Sequence, residues 1–115
     1  MKFSLKDAPE FSWDGLKGQA ISSADDFPAA SAAYFEVTGR HGKVKSKVSN
    51  RVYFVLDGEG EFTIDGDVER VIKDDIIIVP KNTPYDYRAT KGTLKMYLIH
   101  TPAYDREAEV RLESQ

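Results

Sequence analysis

RVYFVLDGEGEFTIDG, residues 51–66, is the stretch whose reading decides the fold. Val52, Phe54 and Leu56 alternate with Tyr53 and Val55, the period-two pattern of a strand covered on both faces. Asp57-Gly58 reads as a turn, because glycine reaches positive φ without a Cβ penalty and aspartate tolerates tight turns. A second strand over residues 61–64 follows and ends at another turn, Asp65-Gly66. Strands joined by so few residues lie antiparallel and adjacent, so the stretch predicts a hairpin that begins at Arg51.

The same rhythm extends outward from that hairpin. Residues 34–38 (YFEVT) are strand-like and end at Gly39, and residues 43–49 (KVKSKVS) alternate lysines with Val44, Ser46 and Val48. A short strand follows at 68–72, and Ile76–Val79 is a continuous apolar run of the buried kind. Residues 80–84 are loop chemistry. Strands are then predicted at 85–88 and 94–100, on either side of a turn at Lys91-Gly92. About eight to ten short strands, with turn signals at short spacing and no amphipathic helix, predict one all-β domain of sandwich or barrel type. Residues 1–30 read as an N-terminal arm and loop, 31–102 as the barrel and 103–115 as a charged tail.

Sixteen Lys and Arg against nineteen Asp and Glu, a net charge of −3, argue against a general nucleic-acid binder. The absence of cysteine excludes disulfides, thiolate metal sites and a cysteine nucleophile. The first residues lack the apolar core of a signal peptide, and no apolar run approaches the roughly 20 residues that cross a bilayer. The expectation is a cytoplasmic domain with no membrane partner. GEGEF (58–62) lacks the helix and third glycine of a phosphate loop, and Asp65-Gly66-Asp67 lacks the remaining ligands of a calcium loop.

Residues 37–102 resemble a small single-domain cupin. The first cupin motif, G-x5-H-x-H-x3,4-E-x6-G, meets Gly39 and Gly58 at its ends, with Lys45, Lys47 and Arg51 where two histidines and a glutamate belong. In the second motif Pro80 fits, while Asp74, Asn82, Tyr85 and Ala89 replace glycines, histidine and asparagine. The resemblance implies a jelly-roll barrel, a double-stranded β-helix. The family's metal would need imidazole nitrogens and a carboxylate, and protonated Lys and Arg offer a metal no lone pair. No metal and no cofactor are therefore expected.

In the cupin register Lys45, Lys47 and Arg51 face the barrel mouth opposite Tyr85, with Tyr53 and Tyr87 on the same strand faces. That set makes a basic, tyrosine-lined ligand site for a small anion such as a sugar phosphate, sugar acid or carboxylate. Glu36 and Asp86 are candidate internal counter-ions. Bare periodicity reads 43–49 the other way, with Val44 and Val48 inward and the lysines in solvent, because one residue of slip inverts every side chain. Three functions follow. One is a binding module for the anion. A second is an isomerase, epimerase or lyase with Tyr85, Tyr87 or a lysine as acid or base, strengthened if His41 or His100 lies at the mouth. A third is a scaffold that works through an interface. The resemblance also implies a homodimer paired through a sheet face and an N-terminal arm, for which the aromatic-rich residues Phe3 to Trp13 are available, with Val52, Phe54 and Leu56 lying against a second sheet or a partner.

Overall fold

The structure, a computed structural model, describes residues 1–112. Nine strands are present among the described residues: β1 (Glu10–Trp13), β2 (Leu16–Ala20), β3 (Ser31–Val37), β4 (Val44–Ser46), β5 (Asn50–Ile64), β6 (Asp67–Val71), β7 (Ile76–Val79), β8 (Tyr85–Thr101) and β9 (Glu109–Arg111). One path runs β1-β2-β3-β8-β4-β9, and β5 joins it by pairing with β6, β7 and β8. Every pairing is antiparallel. The described residues contain no α-helix, only short 3₁₀ turns at Leu5–Asp7 and Arg106–Ala108. The all-β, jelly-roll expectation is met.

The hairpin predicted at Asp57-Gly58 is not formed. β5 runs unbroken from Asn50 to Ile64 and pairs with β8 along its whole length, from Asn50↔Thr101 to Ile64↔Tyr85. A two-residue type I′ turn needs positive φ at both central residues. Asp65 (φ 48°) and Gly66 (φ 88°) meet that requirement and connect β5 to β6, whereas at 57–58 only Gly58 (φ 77°) does. Gly58 is therefore part of a bulge, where the register with β8 shifts. A Cβ built on Gly58 would sit 2.2 Å from the Thr93 carbonyl oxygen, so only glycine allows the two long strands to bend past each other. The turn predicted at Lys91-Gly92 is likewise absorbed into β8, with Gly92 at φ 67°.

The core lies on one face of this bent pair. Tyr53, Val55, Phe62, Tyr85, Tyr87, Leu94, Met96 and Leu98 are all buried, as the period of two requires. The other face of β5 is only half covered. Its rows run Ile78–Val52–Ile99–Ala32 and Ile76–Phe54–Tyr97–Tyr34 across β7, β5, β8 and β3. The N-terminal segment overlies the β2 side, where the Gln19 amide donates to the Leu5 and Ala8 carbonyls. Tyr34 is buried at that end, while Ile76 and Ile78 at the other are 60% and 62% exposed. β7 is thus not the doubly buried strand that its composition predicts. Among the described residues it is an edge strand paired only with β5, and alternate residues face outward.

Candidate functional site

The inner ends of β5 and β8, the loop after β3 and the segment after β8 enclose a cavity of about 610 Å³. That volume lies within the range of small-molecule sites. Arg51, Tyr53, Tyr85, His41, His100 and Glu109 contribute its polar wall, and Phe11, Trp13, Phe35 and Leu98 much of its apolar wall.

Arg51 is 3% exposed and its charge is matched inside the protein. Its Nη1 and Nη2 donate to Glu109 Oε1 and Oε2 at 3.0 and 2.5 Å, a bidentate pair that occupies both carboxylate oxygens. Nη1 also donates to the Tyr85 hydroxyl at 2.5 Å, and the Tyr85 and Tyr53 hydroxyls lie 2.7 Å apart. Burial opposes the Arg51 charge, but Tyr85, Tyr53 and Glu109 outweigh it and hold the guanidinium above its usual range. Burial raises the Tyr53 and Tyr85 hydroxyls, with Arg51 pulling both down. Both tyrosines therefore hold their protons at neutral pH and cannot serve as bases, and Arg51 is the group that offsets the burial opposing their phenolates.

His41 is held by its loop. Its N–H donates to the Tyr87 carbonyl at 2.8 Å. Asp86 Oδ1 accepts from the Gly42 N–H at 2.8 Å, and Asp86 Oδ2 pairs with Arg40. The ring stacks on Tyr87 at 4.7 Å between centroids and on Tyr85 at 6.0 Å. Its Nδ1 lies 2.8 Å from the Gly42 carbonyl, which can only accept, so Nδ1 carries the proton and Nε2 keeps its lone pair. Burial holds the ring below the ordinary histidine value. His41 is thus a neutral imidazole of fixed tautomer on the cavity wall, the form a general base requires.

Three of the expected site residues are placed elsewhere. Val44 and Ser46 are buried, so Lys45 projects from the outer face of β4, Lys47 is exposed just beyond its end, and neither lines the cavity. Pairing with β9 imposes this register: Val44↔Arg111, Lys45↔Val110 and Ser46↔Glu109. An ammonium turned inward there would have to give up its hydration. The inward reading of the lysines is therefore corrected. Tyr87 also leaves the list of acid–base candidates. Its hydroxyl is buried and, among the described residues, no group meets it in good hydrogen-bond geometry, and its ring serves as a platform between His41 and Phe62. Arg51, Tyr53 and Tyr85 do converge. Asp86 pairs with Arg40, and Glu36 accepts from the Tyr34 hydroxyl at 2.9 Å, so neither is the counter-ion of Arg51.

Glu109 is the residue that sequence reasoning missed. It lies in the charged tail, 58 residues from Arg51, and its neighbours carry no motif. His41 and Trp13 also line the cavity, Trp13 edge-on to His41 at 5.7 Å.

His100 occupies the strand position opposite Arg51 and is 5% exposed. Burial, then the Arg51 charge, lowers its pKa to about 3. Unfolding exposes an imidazole that titrates near 6.5, so below that pH the unfolded chain binds a proton that the folded chain refuses. Stability is therefore expected to fall as pH drops from about 6.5 toward 3, by roughly 1.4 kcal/mol per pH unit for this histidine, and His41 adds in the same direction. Urea midpoints between about pH 4 and 7 check this. His100→Asn is expected to flatten the dependence by close to one proton, and an unchanged slope would refute the assignment.

A metal does not fit these residues. The cupin ligand positions hold Arg51, which has no lone pair, and Lys45 and Lys47, which face out. Among the described residues no three His, Asp or Glu side chains converge.

A protein-family model described as "Cupin domain" matches residues 37–101. An uncharacterized protein of Aquifex aeolicus (strain VF5) is 31% identical over 61 residues, which cover 53% of this chain and 50% of that relative, so the match spans about half its length. Among solved structures, Pac13, described as a unique nucleoside dehydratase, superimposes with a TM-score of 0.84 at 25% identity over 99% of this chain and 93% of its own. Streptomyces Pac13 has also been solved with uridine as a His→Gln variant and as two Tyr→Phe variants. KdgF from Halomonas sp. superimposes with a TM-score of 0.80 at 15% identity, over 91% of this chain and 96% of its own. With a family match across more than half of its residues and the barrel that this family forms, the chain belongs to the cupin family.

Proposed function

We propose that the cavity eliminates water from a small, hydroxylated, ring-bearing metabolite of nucleoside type, with His41 as base and the Tyr53–Tyr85 pair as acid. One observation carries this reading: a neutral imidazole with Nδ1 tied to Gly42 shares the cavity wall with two protonated phenols wired to Arg51. His41 Nε2 takes a proton from carbon beside a carbonyl, the electrons form the new double bond, and the β-hydroxyl leaves with a proton from a tyrosine as water. Arg51 stabilises the resulting phenolate, and proton exchange with solvent resets both groups. The likeness to Pac13 supports the substrate class, and the aromatic wall of Phe11, Trp13 and Phe35 suits a planar ring. The basic anion pocket read from the sequence loses its support, because Lys45 and Lys47 face outward and Arg51 is matched by Glu109.

A thermal-shift screen of nucleosides, oxidised nucleosides and sugar acids, followed by mass spectrometry for loss of water, tests the reading. Ligands that bind only the folded state raise the Tm, so a nucleoside-type hit that loses water supports it. Stabilisation by sugar acids alone, without loss of water, would return the binding-module reading.

The uncovered outer face motivates one further reading, a homodimer. The rows Ile78–Val52–Ile99 and Ile76–Phe54–Tyr97 carry no charge, and the chain's own N-terminal segment covers only the other end of the same face. A second copy meets such a patch without like-charge repulsion, and contiguous apolar faces rimmed by polar residues are commonly interaction sites. Light scattering is expected to give twice the chain mass for the native protein and the chain mass for Ile78→Glu with its Tm kept. A monomeric native protein at micromolar concentration would sink the proposal.

A further inference from the structure

Resting on the elimination reading above, we propose that the substrate carries an anionic oxygen group, a phosphate or a carboxylate, and that Arg106 rather than Arg51 receives it. The charges on the cavity wall lead to this. The fixed charges that line it are Arg51, Arg106 and Glu109, while both histidines are neutral. Glu109 has both of its oxygens on Arg51, which leaves that pair without net charge. The remaining unit of positive charge belongs to Arg106, and among the described residues its guanidinium forms no salt bridge.

Arg106 stands on the 3₁₀ turn Arg106–Ala108, exposed at the cavity lip. The turn is fixed in place. The Asp105 side chain caps it through the Glu107 N–H at 3.0 Å, and Ala108 is buried. Just before it, the Tyr104 N–H donates to Ser31 Oγ at 2.9 Å, and the Tyr104 ring lies 5.2 Å from the His100 ring. His100, Tyr104 and Arg106 all line the cavity. A guanidinium fork, a phenol and a neutral imidazole on one cavity wall make a donor set for an oxyanion, on a cavity otherwise suited to an uncharged ring and sugar. A guanidinium at a partly exposed lip keeps its hydration until the ligand arrives, so binding there avoids breaking a buried pair, as capture by Arg51 would not.

Calorimetric titration of the full chain with uridine, uridine 5′-monophosphate, the uridine 5′-carboxylic acid and inorganic phosphate tests the assignment. The native protein is expected to bind at least one of the two anionic nucleosides about tenfold more tightly than uridine, with an advantage that shrinks as salt is raised. Preference between the two identifies the oxyanion. Arg106→Gln is expected to bring the anionic ligand down to the affinity of uridine, and Arg106→Lys to restore part of the difference. Equal binding of uridine and both anions by the native protein, or an Arg106→Gln variant that keeps the difference, would overturn the inference and leave the elimination reading standing. Tight binding of inorganic phosphate but of no nucleoside would overturn both. So would binding of none of the four.

Discussion

Arg51→Met is expected to lower stability by roughly 3–5 kcal/mol, which for a chain of this size is a fall in Tm on the order of 12 °C or more. The Arg51 side chain is 4% exposed and that of Glu109 is 19% exposed, so the substitution leaves a largely buried carboxylate without its partner. It also removes the donor to the Tyr85 hydroxyl and the cation over the Tyr85 ring, at 5.5 Å from its centroid. The loss falls on the C-terminal segment first, because β9 is held to the barrel through β4 and through this ion pair. A double substitution, Arg51→Met with Glu109→Met, separates pair from packing. Apolar residues of similar volume often replace a buried pair at little cost, so the double variant is expected to be more stable than Arg51→Met alone. Chemical denaturation of the native protein, Arg51→Met, Glu109→Met and the double variant checks it, and a double variant whose loss is the sum of the two single losses would show that the pair is not coupled.

His41→Gln is expected to lower turnover of the dehydrating substrate by about 10²–10⁴-fold while leaving its binding within a few-fold, because a glutamine amide cannot take up a proton. The pH dependence is a second readout. Burial holds the His41 pKa below 6.5, so the base stays unprotonated and competent across neutral pH. The acid limb of kcat/KM should therefore lie below 6.5, with activity lost as pH falls through the folded-state pKa. Tyr53→Phe should cut turnover as well, since it removes one hydroxyl from the 2.7 Å pair. Full turnover in His41→Gln, or an acid limb above 6.5, would remove His41 from the role of base.

In the cavity, and on the strands beside it, the protein pairs charges of its own before any ligand arrives. Arg51 is neutralised by Glu109, Arg40 by Asp86 and Arg88 by Glu61. A barrel arranged in this way offers preorganised dipoles and proton donors more than a strong electrostatic trap, and such groups favour developing charge without reorganising. Arg106 stands outside that pattern, and the affinity for anions is assigned to it for that reason.

By itself the sequence determined what local rules control. Period-two alternation places Tyr53, Val55 and Phe62 in a core, Asp65-Gly66 makes a true two-residue turn, and Gly39, Gly58 and Pro80 carry the cupin frame over residues 37–102. Strand period puts Arg51 and Tyr53 on one face, and the resemblance to the cupin motifs, rather than periodicity, sets Tyr85 opposite them. Tertiary structure decided the rest. Asp57-Gly58 has turn chemistry, yet the chain continues through it, since pairing with β8 on both sides outweighs the preference of two residues. The register of 43–49 depends on one residue of slip, and pairing with β9 near the far end of the chain selects Val44 and Ser46 for the interior. The partner of Arg51 was not legible because Glu109 shares no period, spacing or motif with it. A barrel brings residues 58 positions apart to hydrogen-bonding distance, and a buried guanidinium must find an anion wherever the closed sheet provides one.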